Sequence, residues 1–326
     1  MCSPCNMWWT SGRCRSDARL DGKTVVITGA NTGIGKETVL DLVGRGARVV
    51  MACRDMEKAK AAAEDIREAH KGKDGVGTVE VVHLDLCSLA SVRRCAKQLL
   101  EQEKNIDILI NNAGIMACPR KVTEDGLEMQ LGVNHMAHFL LTCLLLPRIR
   151  ATGHARIITL SSLVHSRGVI HFDDLAGEKS YGASDRYCQS KLANVLFTKE
   201  LAERLKAHNI SDVTVYAVHP GVVATELSRH LDSGVFPGAT FFWDRIMKLW
   251  IKTPEQGAQT TIHCAVDEDA GSETGLYYAD CRPVTPGHRA QNADVARRLW
   301  EVSVQMTGLG DYDPFTAPNT TSITNL

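Results

Sequence analysis

The chain has 326 residues, of which 44% are hydrophobic and 23% are charged, and its formal net charge at pH 7 is -1. A chain of this length and composition can bury a large core, as one large domain or two small ones. The near-neutral charge excludes a nucleic-acid partner, because affinity for a phosphate backbone needs clustered, uncompensated Lys and Arg.

The first 19 residues form an N-terminal tail ahead of the predicted domain. They contain no apolar run of about 7–15 residues, as in a signal peptide, or of about 20, as in a membrane span, so no transmembrane anchor is expected. Cys2 and Cys5 form a C-x-x-C, but only Cys14 lies nearby, and a zinc site normally has four ligands, so no metal is predicted. The eleven cysteines are an odd number and lie mostly in apolar segments, which is typical of reduced thiols in the cytoplasm.

From Lys23 onward, short β-branched runs alternate with longer patterns of helical period. Strands are predicted at 23–27, 47–53, 79–84, 107–111, 155–160, 213–218 and 275–278. Helices are predicted at 34–44, 56–70, 88–103, 125–149, 187–208, 254–267 and 290–306. The alternation predicts one α/β domain over residues 20–310, a doubly wound parallel sheet of about seven strands flanked by helices. Residues 311–326 are polar and are expected to form a flexible tail.

A glycine-rich turn follows the first predicted strand. The run TGANTGIG places Gly29, Gly33 and Gly35 where a helix begins near Ile34. Glycines let a backbone approach a pyrophosphate closely, and a helix N-terminus points unpaired N–H groups at its charge. A tight connection without a ligand is the alternative, but the position on the first strand of an alternating α/β chain favours a dinucleotide site.

A tyrosine and a lysine four residues apart, Tyr187 and Lys191, begin the helical run YCQSKLANVLFTKELAERL. This spacing puts the phenol and the ammonium on one helix face, where the cation lowers the pKa of the phenol and makes it useful for proton transfer. Taken alone, the pair also fits a packed ring beside a solvated amine. Its interpretation therefore depends on the remaining motifs.

Those motifs occur in a fixed order and resemble the short-chain dehydrogenase/reductase family over roughly residues 20–308. Besides the turn T-G-x-x-x-G-x-G, they are Asp85-Leu86 in HLDLCS, Asn111-Asn112-Ala113-Gly114, Asn134 in GVNHMAHF, Ser162 in IITLSS, and Tyr187-x-x-x-Lys191. The resemblance implies a Rossmann-type fold and an oxidoreductase that transfers a hydride to or from a nicotinamide cofactor.

The resemblance also implies a role for each catalytic side chain. Tyr187 would donate a proton to the substrate carbonyl, and Lys191 would lower its pKa and hold the nicotinamide ribose. Ser162 would hydrogen-bond the substrate oxygen, and Asn134 would hold a water in a relay to Lys191. The cofactor is expected to contact Gly29, Asn31, Thr32, Gly33, Ile34, Gly35, Arg54, Asp85, Leu86, Asn112, Ala113, Gly114, Tyr187, Lys191, Pro220, Gly221, Val222 and Thr225.

The end of the second predicted strand, in VVMACRD, bears on which nicotinamide cofactor is used. A carboxylate there would bind the ribose hydroxyl of NAD, whereas an arginine accommodates the 2'-phosphate of NADP. With Cys53 as the last strand residue, Arg54 follows it and favours NADP(H). A register shifted by two residues would instead bring Asp55 to the ribose and favour NAD.

Two neighbouring alternatives compete with the proposed catalytic residues. Ser161 and Ser162 point to opposite sides of a strand end, and the second serine is chosen because relatives use it. Tyr181 is a rival phenol, but position 185, four residues on, is Asp, which would raise its pKa.

The 24 residues between Ser162 and Tyr187 are expected to form a loop beside the active site, and together with HPGVVATEL they resemble the retinol dehydrogenase branch. The following segment, 227–254, is rich in Phe, Trp and Leu, with Arg245, Lys248 and Lys252 interleaved. By resemblance it covers a lipophilic substrate, while a helix packed on the core and a membrane-surface helix remain as alternatives. For three histidines, His165, His171 and His219, packing or loop hydrogen bonds are favoured over metal binding.

The sequence therefore predicts an NADP(H)-dependent enzyme of lipid metabolism that interconverts a lipophilic alcohol and its aldehyde or ketone, of the retinol/retinal type. A steroid or lipid-aldehyde carbonyl reductase and a non-catalytic cofactor-binding scaffold are the alternatives. Many relatives in this branch carry an N-terminal hydrophobic anchor, and this sequence departs from that pattern. Either Met7-Trp8-Trp9 and the 227–254 segment give weak peripheral contact with the endoplasmic reticulum membrane, or an anchor is absent from this form of the chain. By resemblance, a homodimer would pair through residues 125–149 and 187–208.

Overall fold

The computed structural model describes residues 12–223 and 252–319. In these residues one sheet is formed by β1 Thr24–Thr28, β2 Arg48–Cys53, β3 Thr78–His83, β4 Ile108–Asn111, β5 Ala155–Leu160, β6 Val213–His219, β7 Leu276–Ala279 and β8 Arg282–Pro283. The strand order is β3-β2-β1-β4-β5-β6-β7-β8. β1 to β7 are parallel, and β8 pairs antiparallel with β7. The predicted sheet is confirmed, and it has one strand more than predicted. The additional strand, β8, was missed because it has only two residues, one of them proline, and no periodic pattern.

The helices lie on both faces of the sheet. They are α1 Gly33–Gly44, α2 Met56–Ala69, α3 Leu89–Gln102, α4 Met129–Thr152, α5 Ala183–Ala207, α6 Pro254–Val266 and α7 Ala293–Met306. One face of the sheet, which includes the side chain of Val26, is covered by α3, α4, α5 and α7. The other face, which includes Val25 and Ile27, is covered by α1, α2 and α6. Because successive side chains of a strand point to opposite faces and both faces are covered, the strands read as unbroken apolar runs.

α4 is, within the described parts of the chain, the one helix long and apolar enough to cross a membrane. Of its most apolar window, 94% is buried inside the domain, so packing in the core explains its composition. Near its start, residues Gly132–Met136 wind as a π-helix, a distortion often found at functional sites.

The packed chain extends beyond both predicted domain boundaries. Phe315 is buried against the ring of Trp300, and Arg150 donates to the carbonyl oxygens of Phe315 and Ala317. The prediction of a flexible tail is therefore wrong for residues 311–319, because one aromatic anchor and two backbone acceptors hold this polar segment. At the other end, the backbone N–H of Cys14 donates to Gln259 on α6.

The turn between β1 and α1 comes close to the segment after β4. Gly29 has a φ of +63°, and a Cβ built there would lie 2.7 Å from the Cβ of Ala113. Gly72, between α2 and β3, has a φ of +74° with nothing within 4 Å of a built Cβ. The two glycines share a left-handed backbone, but only Gly29 also lacks room for a side chain.

We expect Gly29→Ala to destabilise the fold more than Gly72→Ala. Gly72→Ala should cost about 1–2 kcal/mol of unfolding free energy from backbone strain alone. Gly29→Ala should cost about 1–3 kcal/mol more, because the new methyl group pushes the turn away from Ala113. Urea unfolding of both variants measures the difference, and equal losses would contradict the close approach.

Candidate active site

A cavity of about 560 Å³ lies at the carboxyl ends of the parallel strands, where the strand order reverses between β1 and β4. This is the position at which doubly wound sheets bind their ligands. The predicted residues that line it are Gly29, Asn31, Thr32, Gly33, Ile34, Gly35, Arg54, Asp85, Leu86, Asn112, Ala113, Gly114, Ser162, Tyr187, Lys191, Pro220 and Gly221. Val222 is 56% exposed beside it, Asn134 is fully buried behind it, and Thr225 lies outside the described residues.

Thr28, the last residue of β1, joins the two halves of this site. Its Oγ1 accepts the backbone N–H groups of Asn112 and Ala113, both at 3.0 Å. With both lone pairs used, its hydroxyl hydrogen is left for Nε2 of His138, 2.8 Å away. Nδ1 of His138 then donates to the carbonyl oxygen of Asn134 at 3.2 Å.

Thr28 and His138 are not among the residues predicted from the sequence. A threonine before the glycine turn has no distinctive pattern. The helical spacing of four between Asn134 and His138 is the single signal that could have suggested the second contact.

The glycine turn is shaped to hold phosphates. A Cβ on Gly35 would lie 2.6 Å from the carbonyl oxygen of Gly29, so the turn and the first turn of α1 are in direct backbone contact. Thr32, the N-cap residue of α1, makes no side-chain capping bond, and the first turn contains no acidic residue. The first N–H groups of α1 are therefore available to an anion in the cavity, which fits the pyrophosphate of a dinucleotide.

The end of β2 has the register that the sequence predicts. β2 ends at Cys53, which is buried behind the glycine turn, and Arg54 lies on the cavity wall. Asp55 is the N-cap of α2, and its Oδ1 accepts the backbone N–H of Lys58 at 3.1 Å. The carboxylate of Asp55 is thus engaged by its own helix. Lys58 also lines the cavity; it was missed from sequence, although it lies four residues after Arg54.

The two candidate serines have different surroundings. Ser161 is buried, and its hydroxyl donates to the carbonyl oxygen of Lys191 at 2.7 Å. Ser162 precedes the 3-10 turn Leu163–Arg167, and its side chain lies close enough to the phenol of Tyr187 to lower the pKa of that phenol. The rival phenol, Tyr181, donates instead to the carbonyl oxygen of Cys118 at 2.8 Å. Ser162 is therefore the serine that the fold places beside Tyr187.

Burial controls the charge of the Tyr187 and Lys191 pair. It raises the pKa of Tyr187 to about 12, against a smaller lowering by the Ser162 hydrogen bond. It lowers the pKa of Lys191 to about 8, while the Nζ donates to the carbonyl oxygen of Leu160 at 3.1 Å. The expected lowering of the Tyr187 pKa by Lys191 is not found in this structure, where removal of the phenolate from water dominates the shift. Tyr187 is thus protonated at neutral pH, as a proton donor must be.

Asn134 lies in the π-helical segment, directly behind the cavity wall. Its Nδ2 donates to the carbonyl oxygen of Ile115 and to Oγ of Ser190, both at 2.9 Å, and its Oδ1 accepts the Ile115 N–H at 2.8 Å. A Cβ on Gly114 would lie 3.3 Å from Oδ1. The side chain therefore fixes the segment after β4, and its role in a water relay stays a prediction.

The segment before Tyr187 is ordered by a buried ion pair. Arg186 and Asp174 are 3% and 9% exposed, and their side chains are 2.7 Å apart. Asp174 also accepts the backbone N–H groups of Glu178, Lys179 and Ser180, which together hold the pKa of its carboxyl well below the usual range. The predicted loop beside the active site thus has a defined shape.

A family model for short chain dehydrogenases matches residues 23–235. The chain belongs to the short-chain dehydrogenase family. It is 48% identical to retinol dehydrogenase 11 of Mus musculus, over 92% of this chain and 91% of that one. It is 49% identical to retinol dehydrogenase 13 of Homo sapiens, over 92% and 89%, and 48% identical to human retinol dehydrogenase 12, over 93% and 92%. The predicted membership of the retinol dehydrogenase branch is confirmed.

Solved structures share the short-chain dehydrogenase fold. A crystal structure of an uncharacterized protein from Mycobacterium paratuberculosis has 36% identity and a TM-score of 0.72, over 91% of this chain and 98% of that one. A structure from Beutenbergia cavernae described as an NAD(P)-dependent gluconate 5-dehydrogenase, with NADP bound at low occupancy, has 26% identity and a TM-score of 0.62, over 80% and 96%. The family and the site together make this protein an oxidoreductase that uses a nicotinamide cofactor.

The lowered pKa of Lys191 predicts how cofactor binding depends on pH. Above about pH 8 the ammonium loses its proton and its charge, so the affinity for a nicotinamide dinucleotide should fall by about fivefold between pH 7 and 9. In Lys191→Met the affinity should be lower and nearly independent of pH in this range. Fluorescence titration measures both, with Lys199→Met, outside the cavity lining on α5, as the control. An unchanged pH dependence in Lys191→Met would contradict the assignment.

Proposed function

We propose that the protein is an NADP(H)-dependent oxidoreductase that interconverts a lipophilic alcohol and its aldehyde or ketone, of the retinol/retinal type. The observation that carries the proposal is the placement of Ser162, Tyr187 and Lys191 on one wall of the cavity. Ser162 and Tyr187 both line this cavity, and the Ser162 side chain lowers the pKa of the phenol, so a carbonyl oxygen bound between them could meet both groups.

When bound, the nicotinamide supplies the hydride for reduction and takes it back for oxidation. The hydroxyl of Ser162 donates a hydrogen bond to the substrate oxygen and stabilises the charge that develops there. Tyr187 transfers its phenolic proton to that oxygen. The nearby Nζ of Lys191, 5.7 Å from the centroid of the phenol ring, stabilises the phenolate that remains. In alcohol oxidation the proton moves in the opposite direction.

Removal of the phenolic hydroxyl tests this role. We expect Tyr187→Phe to lower the rate of NADPH oxidation with all-trans-retinal or a medium-chain aldehyde by about 10²–10⁴-fold, the usual contribution of a general acid. Tyr181→Phe is the matched control and should retain activity, since its hydroxyl donates to the Cys118 carbonyl. Activity of Tyr187→Phe near that of the unaltered protein would reject the mechanism. If no retinoid, steroid or lipid carbonyl supports NADPH oxidation by the unaltered protein, the scaffold alternative replaces it.

Two exposed apolar side chains next in sequence to cavity-lining residues support a lipophilic substrate. Leu163, next to Ser162, is 61% exposed, and Val222, next to Gly221, is 56% exposed. Full burial of such a side chain contributes about 1.5–3 kcal/mol, which an apolar substrate could gain on binding. The names of the retinol dehydrogenase relatives favour a retinoid over a steroid or another lipid aldehyde. Of the predicted 227–254 cover, the structure describes only the last three residues.

The preference for NADP(H) over NAD(H) rests on Arg54. Arg54 and Asp55 both line the cavity, but the carboxylate of Asp55 is engaged as the N-cap of α2, where it accepts the backbone N–H of Lys58. Lys58 adds a second cation to the lining, with its Nζ 3.7 Å from Oδ2 of Asp55. A structural neighbour in the family was solved with bound NADP, which agrees with this choice.

Exchange of these residues separates the two cofactor hypotheses. We expect Arg54→Ala to raise the KM for NADPH by about 10–100-fold, through loss of a charge-assisted hydrogen bond, and to leave the KM for NADH nearly unchanged. Asp55→Asn preserves a good helix cap and should change neither value. An unchanged NADPH preference in Arg54→Ala, or a loss of NADH binding in Asp55→Asn, would favour the NAD alternative.

Membrane contact and pairing of two copies stay predictions. Met7-Trp8-Trp9 and residues 224–251 lie outside the described part of the chain. Both helices proposed for a dimer, α4 and α5, are mostly buried within the protomer.

A further inference from the structure

The peptide unit between Ser162 and Leu163 is held from two directions by histidine rings. Nδ1 of His165 lies 2.7 Å from the carbonyl oxygen of Ser162. The N–H of Leu163, the other polar group of the same peptide unit, donates to Nδ1 of His219 at 3.2 Å. Because the C=O and N–H of a trans peptide point in opposite directions, the two rings grip opposite edges of one peptide plane.

The partners of His165 allow only one form of its ring. A carbonyl oxygen only accepts, so Nδ1 carries the hydrogen that binds Ser162. The other ring nitrogen, Nε2, accepts the backbone N–H of Gly287 at 2.9 Å, so it carries none. The ring is 2% exposed and packs against Tyr277 at 4.7 Å between centroids. His165 is thus a neutral connector with both nitrogens in use.

Gly287 has to be glycine for this contact. A Cβ there would lie 2.9 Å from the Cα of Ser166, in the 3-10 turn that follows Ser162. The close approach of the two backbones brings the Gly287 N–H within reach of His165. The segment after β8 therefore supports the turn that presents Ser162.

His219, the last residue of β6, has the opposite tautomer. Its Nδ1 accepts from Leu163 and also faces the N–H of Gly221 at 3.4 Å, so it carries no hydrogen. Gly221 lines the cavity. One ring nitrogen thus connects the turn that carries Ser162 to the segment at the cofactor side of the site.

We propose that His165 and His219 are positioning residues for the reaction, which fix the plane of the Ser162–Leu163 peptide and thereby hold the Ser162 hydroxyl against Tyr187. The two rings act through Ser162 and do not touch the substrate. This inference rests on the proposed function in one respect, namely that Ser162 hydrogen-bonds the substrate oxygen. Rotation of the peptide plane would carry the Ser162 side chain with it and would weaken that bond.

The first test measures kcat for carbonyl reduction in leucine and asparagine variants. His165→Leu and His219→Leu should each lower kcat by about 10–100-fold, because a side chain that is misplaced by about 1 Å loses most of its contribution. His165→Asn supplies an N–H near the position of Nδ1, and His219→Asn supplies an acceptor there, so each should recover at least half of the lost activity on a logarithmic scale. His171→Leu, an exposed histidine nearby, should keep full activity.

The second test asks whether the effect passes through Ser162. In a Ser162→Ala background, His165→Leu and His219→Leu should lower kcat by less than twofold, because the hydroxyl that they position is gone. In the unaltered background, the double variant should lose less than the product of the two single losses, since both rings hold one peptide unit. If His165→Leu lowers kcat equally with and without Ser162, the ring has a general structural role and the proposal is overturned. Should the leucine variants fail to fold, the asparagine variants are compared in the same two backgrounds.

A measurement that needs no turnover separates this proposal from the proposed function. The ¹⁵N chemical shifts of the ring nitrogens at pH 7 should show His165 protonated only on Nδ1 and His219 only on Nε2. Cationic rings, or a mixture of tautomers at either residue, would overturn the arrangement even in an active enzyme. If the expected tautomers are found but no carbonyl is reduced, the arrangement stands and the proposed function fails.

Discussion

The active site depends on one hydroxyl group, that of Thr28 at the end of β1. It uses both lone pairs and its hydrogen to join the backbone after β4 to His138 on α4. The glycine turn follows β1, Asn112 lies in the segment after β4, and Asn134 lies on α4. A methyl group in place of this hydroxyl, or an alanine in place of Thr28, could not satisfy the two buried N–H groups and the ring nitrogen together. The cofactor side and the catalytic side of the cavity are therefore set by the same three hydrogen bonds.

Burial sets the protonation states of Tyr187 and Lys191 on the catalytic side of the cavity. Low polarity around Tyr187 favours the neutral phenol, and the same environment disfavours the ammonium of Lys191. The two opposite shifts bring a protonated acid and a weakened cation together at neutral pH. The carbonyl of Leu160 compensates the lysine in part, by accepting its hydrogen bond at the end of β5. Strand ends thus supply backbone acceptors as well as side chains to this site.

Most of the fold and most of the cavity lining could be predicted from sequence, because both depend on local patterns. The parallel strands are apolar runs, and the glycine turn and the Asp85 and Asn112 motifs follow strands directly. The predictions that were wrong concern distant contacts. The C-terminal segment is held by Phe315 and by Arg150, 165 residues away in sequence. The pKa of Tyr187 depends on all the residues that bury the phenol, and the four-residue spacing to Lys191 does not predict that burial.

The sequence by itself determined the family, the order of the strands along the chain and the residue types available for hydride-transfer chemistry, since these are carried by short runs with fixed spacing. Only the tertiary structure decided which serine meets Tyr187, that Asp55 caps α2, and that Thr28, His165 and His219 hold the site together. Each of these assignments depends on the direction of a donor or an acceptor. The direction in which each donor or acceptor points is set when strand ends from distant parts of the chain meet at one edge of the sheet. No local sequence pattern encodes that direction.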